Sequence, residues 1–165
     1  MRLLGIDPGS RHCGWGVVDR HGSRTLAIAW GRWSPAPALP LPDRLAELAA
    51  GLRQVIEDYE PERTAVERVF HGVSARSLIV LAEARGVILA ELARAGLPVA
   101  ELSPAEVKSA VTGSGRADKQ QVARMVRLQL QLPARRILGD AADALAVALA
   151  ESQRATYDRV PGSGR

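Results

Sequence analysis

The chain opens with short apolar blocks set between turn residues, and these give way to longer stretches with helical spacing. Leu3-Leu4-Gly5-Ile6 and Gly14-Trp15-Gly16-Val17-Val18 have the pattern of buried strands, and Asp7-Pro8-Gly9-Ser10 between them carries turn chemistry. A third strand is predicted over Thr25 to Trp33, folded back through His21-Gly22-Ser23, which makes an antiparallel meander. Ser34 to Pro42 holds four prolines and is predicted as a loop, because each proline lacks an amide donor. From about Asp43, Leu45, Leu48, Leu52, Val55 and Ile56 recur on one helical face. Arg63 to Val69 predicts a short strand. Ser74 to Ala95 predicts a long helix that buries Leu78, Leu81, Val87, Ile88 and Leu92, and Pro98 to Leu102 predicts another strand. Ser103-Pro104-Ala105-Glu106 fits a helix start, with a capping serine, a first-turn proline and a glutamate three residues on. Gly113-Ser114-Gly115 breaks that helix. Two more follow, over Asp118 to Leu130 and from about Asp140 to Arg154. Strands separated by helices need crossover connections, so the pattern predicts an α/β fold with a mixed sheet and an antiparallel edge. One domain is expected over residues 1–154, and a mobile tail over 155–165, which has little to bury.

Composition narrows the class. At 165 residues, 47% hydrophobic and 24% charged, the chain has the balance of one globular domain. Aromatics make up only 4%, so the core is built from Leu, Val, Ile and Ala. No uncharged apolar run approaches the ~18 residues needed to span a bilayer, so no membrane association is expected. The run at Met1 to Asp7 meets a carboxylate too soon for a signal peptide. The single cysteine, Cys13, excludes an internal disulfide and a cysteine zinc site, in keeping with a reduced, cytoplasmic setting. Twenty-two basic residues against eighteen acidic give a formal charge of +4. That excess permits a polyanion partner without requiring one. Twenty of the basic residues are Arg; the two lysines are Lys108 and Lys119.

Four carboxylates stand out by position. Asp7 ends the first predicted strand, and Glu67 lies in the apolar stretch Ala65-Val66-Glu67 of a strand expected to be central. Asp140 and Asp143 are three apart on a helix, hence on one face, among small residues. Each also has an ordinary structural reading: a turn aspartate, an edge-strand charge, a helix N-cap, and a first-turn acid favoured by the helix dipole. If they gather, they repel one another. Two unit charges ~4 Å apart interact by roughly 4 kcal/mol at an effective dielectric of 20. Oxygen ligands without His or Cys suit Mg²⁺ or Mn²⁺. Two such ions ~3.5–4 Å apart are suited to in-line displacement at a phosphodiester.

Taken together, Gly5-Ile6-Asp7-Pro8-Gly9-Ser10, Val66-Glu67-Arg68-Val69-Phe70, Val111 to Lys119 and Asp140-Ala141-Ala142-Asp143-Ala144-Leu145 resemble the RuvC family of Holliday-junction resolvases, within the ribonuclease H-like superfamily. The resemblance runs from about Arg2 to Glu151. It implies a ribonuclease H-like five-stranded mixed sheet flanked by helices on both faces. It also implies a metal-dependent endonuclease that places Asp7, Glu67, Asp140 and Asp143 around two Mg²⁺ or Mn²⁺ ions. Further implications are a homodimer that nicks a four-way DNA junction symmetrically, leaving 5′-phosphate and 3′-hydroxyl ends, and a RuvA–RuvB branch-migration partner.

On composition alone Phe70, the only phenylalanine, reads as a core residue, and the two lysines as solvated surface. The resemblance instead makes Phe70 a base stacker, a contact worth ~1–3 kcal/mol per base, and places Lys108, Lys119 and Arg116 against DNA phosphates. Many family members have Asn where this chain has Ser74, and Arg76 is expected to supply phosphate affinity instead. Two rival readings are a junction-binding protein without catalysis and an actin-like ATPase sharing the Asp7-Pro8-Gly9 turn. The ATPase would need a second phosphate loop, which is not visible.

Overall fold

The computed structural model describes residues 1–9, 11–68, 74–133 and 137–157. Five strands, β1 (Arg2–Asp7), β2 (Cys13–His21), β3 (Arg24–Trp33), β4 (Arg63–Glu67) and β5 (Val99–Leu102), form one sheet in the order β3-β2-β1-β4-β5. The first three make the antiparallel meander, while β4 and β5 run parallel to β1, as crossover helices require. The helices are α1 (Leu41–Tyr59), α2 (Ala75–Arg94), α3 (Pro104–Thr112), α4 (Lys119–Gln129) and α5 (Gly139–Tyr157). This is the expected mixed α/β sheet.

Alternation along each strand sorts the core into two layers. Leu3, Ala65 and Val18 face α3, α4 and α5, while Leu4, Ile6, Val17 and Val66 face α1 and α2. On the second face Trp15 stacks on Trp33 with ring centroids 6.0 Å apart. On the first, α5 lies directly against the backbone. A Cβ on Gly5 would come within 2.3 Å of the Ala144 carbonyl oxygen, and one on Gly14 within 2.0 Å of the Asp140 carbonyl oxygen. Glycine at both positions is what lets α5 sit so low. Further along, the helix is tied to the start of β4, where the Arg63 guanidinium donates to the buried Glu151 carboxylate at 2.8 Å.

The helix starts follow the sequence chemistry. Ser103 and Glu106 complete a capping box on α3, Asp118 and Gln121 another on α4, and Ser74 caps α2. Several expectations are corrected. Helix α1 begins at Leu41, within the stretch Ser34 to Pro42 expected to be loop, because Pro42 sits in the first turn, where its missing amide costs nothing. Leu78 is exposed rather than buried, since it lies on the outer side of α2 near the helix start. Helix α5 continues through Tyr157 rather than ending at Arg154, and Ala155 is buried. Among the described residues, no helix is long and apolar enough to cross a membrane.

Candidate active site

One transverse row of the sheet organises the site. Asp7 on β1 pairs with Gly14 on β2, and Gly14 with Arg32 on β3. On the other side Ile6 pairs with Val66 in the parallel ladder, which sets Glu67 beside Asp7. Residues that share a row share a face, so Glu67, Asp7 and Arg32 all project toward α5. Gly14, which lacks a side chain, leaves room for the first turn of α5 and its two aspartates. The four carboxylates named from sequence therefore converge: Asp7 feels the charges of Glu67, Asp143 and Asp140.

Burial and mutual repulsion govern their protonation. Desolvation first, and then the neighbouring Glu67 and Asp143 charges, push the Asp7 carboxyl up to about 8. Glu67 is also raised, chiefly by burial, and it shares a hydrogen bond with Asp7. Lys119 and Lys108 pull Glu67 in the opposite direction, so both lysines bear on the acid cluster. The Lys119 ammonium donates to Asp143 Oδ2 at 2.8 Å, and its own pKa is raised by that contact. The Arg32 guanidinium approaches Asp140 Oδ2 at 3.4 Å.

The donor set fits hard divalent cations: four carboxylates, converging from three elements, with more negative charge than the site can ionise without help. With Asp143 and Asp140 turned toward Lys119 and Arg32, no trio of His, Cys, Asp or Glu among the described residues is already grouped to hold one ion. An incoming ion would take these two aspartates from the protein's own cations.

The other residues named from sequence fall elsewhere. Arg116 is exposed on the α3–α4 turn, and Arg76 is exposed in the first turn of α2; neither touches the acids. Phe70 lies outside the described residues. Sequence reasoning missed Arg32. Only the strand register discloses it, since the meander's hairpin pairing puts residue 32 level with residue 14.

A mixed sheet in the order 3-2-1-4-5, with carboxylates at the ends of its two central strands and on a helix across them, defines a ribonuclease H-like nuclease. The family model "Crossover junction endodeoxyribonuclease RuvC" matches residues 3–151. A protein of that name from Anaeromyxobacter sp. (strain Fw109-5) is 49% identical over 154 residues, covering 93% of this chain and 74% of that protein. One from Chloroflexus aggregans is 45% identical over 155 residues, 94% of each. Among solved structures, Thermus thermophilus RuvC in complex with a Holliday junction substrate superposes with a TM-score of 0.89 at 33% identity, covering 96% of both chains. The chain belongs to the RuvC family.

Proposed function

We propose that this protein is the endonuclease that resolves four-way DNA junctions in recombination and repair, hydrolysing one phosphodiester in each of two strands. The observation that carries the reading is the hydrogen-bonded pair Asp7 and Glu67, which feels the charge of Asp143 from α5, with Asp140 also acting on Asp7, in a chain matched by the RuvC model over residues 3–151. Asp7, Glu67, Asp140 and Asp143 are the residues that would hold two Mg²⁺ or Mn²⁺ ions. Such ions, when bound, stabilise the attacking and leaving oxygens of an in-line displacement. The protein's own groups do the rest. With the ions held, Asp7 would be ionised, and Lys119 and Lys108 would offer point charges to the scissile phosphate. Water attack leaves 5′-phosphate and 3′-hydroxyl ends.

The same reading assigns DNA contacts to Phe70, Arg76 and Arg116, with Phe70 stacking on a base at the crossover. It also assigns a homodimer in which α2 supplies part of the contact. Leu78 and Ile79 on that helix are 44% and 61% exposed and supply adjacent apolar surface for such a contact. A RuvA–RuvB motor is the partner that membership of the family supports. The test is a synthetic four-way junction against matched linear duplex, with and without Mn²⁺, using the wild type and Asp7→Asn. Paired cuts on the junction alone, lost in the variant while junction binding persists, are expected. Cutting by Asp7→Asn would overturn the metal-site assignment.

A further inference from the structure

Beyond the acid site, on the α1–α2 side of the sheet, a second cluster of charge gathers around a cavity of about 440 Å³. Three arginines from three separate elements line it: Arg11 from the β1–β2 loop, Arg44 from the start of α1 and Arg76 from the first turn of α2. His12, Ser34 and Ser77 add polar groups, and the His12 ring nitrogen Nδ1 is 2.9 Å from Ser34 Oγ. No acidic side chain lines the cavity among the described residues. Asp43, the acid of the first turn of α1, is exposed and lies outside the lining. Helices α1 and α2 both contribute residues near their N-termini, so two positive helix ends reinforce the guanidiniums. The charges here thus have one sign, opposite to that of the carboxylate row. The two sites share a loop, since Arg11 follows Asp7 by four residues through Pro8 and Gly9.

We propose that the exposed Arg11 and Arg76, with Arg44 beside them in the lining, form a cradle for backbone phosphates of bound DNA away from the scissile bond. The planar guanidiniums of Arg11 and Arg76 suit this ligand, because each is exposed and can offer paired N–H donors to phosphate oxygens. Sharing a loop with Asp7, the cradle fixes the strand relative to the carboxylates; it positions DNA and does not read its sequence. The inference rests on the junction-resolving reading and names a part of the substrate-binding surface for it.

The experiment measures junction affinity in EDTA at several salt concentrations, for the wild type, Arg11→Ala, Arg76→Ala and the double variant. Each phosphate contact removed lowers the slope of log affinity against log salt by about one. The double variant is expected to bind about tenfold more weakly at moderate salt, with a slope shallower by one to two, whereas Arg76→Lys keeps most of the wild-type slope. An unchanged slope in a double variant with a native circular dichroism spectrum overturns the cradle, as does a weaker affinity explained by an altered sedimentation coefficient. Wild-type protein that binds linear duplex as tightly as the junction would count against the functional reading instead, and the slope comparison on that duplex would still decide the cradle.

Discussion

Asp7 is the residue on which the physics of the site concentrates. Because its folded pKa of about 8 lies above the usual carboxylate value, the folded state holds a proton that the unfolded chain releases. That contribution is complete below pH 4 and fades as pH rises through about 8. The metal-free wild type should therefore lose stability relative to Asp7→Asn across this range, as paired thermal melts would show. Added Mn²⁺ should raise the wild-type melting temperature most at the alkaline end, where no proton has to be displaced. Arg32 is the second residue to test. It sets a fixed positive charge against Asp140, so Arg32→Ala should tighten Mn²⁺ binding about two- to fivefold in a direct titration, in line with a partly exposed ion pair. Weaker binding would make it a support for Asp140 rather than a competitor. The carboxylates could be found from sequence because each interrupts an apolar stretch. Arg32 and Arg11 could not, because an arginine on an edge strand or loop looks like ordinary surface until its register is known.

Among the elements, α5 matters most for catalysis, and its height above the sheet is set by glycines. Gly5→Ala puts a methyl group where the Ala144 carbonyl and the Ala148 amide already sit, so the helix must rise. Overpacking of this kind costs about 1–3 kcal/mol. Here it also lifts Asp140 and Asp143 from Asp7 and Glu67, so cutting should fall far more than junction affinity, a split that single-turnover assays with a binding control resolve. The element order was legible because the spacing of apolar residues changes from that of strands to that of helices. The cap at Ser103 sharpened one of the boundaries. The start of α1 was misplaced because a proline-rich stretch hides a helix whose first turn tolerates proline. Leu78 differs from expectation because periodicity cannot distinguish a helix face buried in the fold from one left exposed.

At the scale of the whole molecule, the basic cradle and the acidic row divide the labour of holding and cutting a polyanion. Paired cutting needs two such units. Ile79→Asp on the exposed side of α2 should leave the fold intact and shift sedimentation to the monomer at micromolar concentration. Nicks on the two junction strands should then become uncoupled, which a cruciform plasmid reports as nicked circles in place of linear product. A monomeric wild type would remove the basis for this prediction.

Helix α5 is clamped at two points, at its start by the Gly14 backbone under Asp140 and further along by Arg63 on Glu151. The two clamps are eleven positions apart, about 16 Å of helix. A beam held in this way has no slack. Damage at the Glu151 anchor would reach the acid row as a tilt, so an inherited change there would look like a catalytic lesion while all four carboxylates stayed intact.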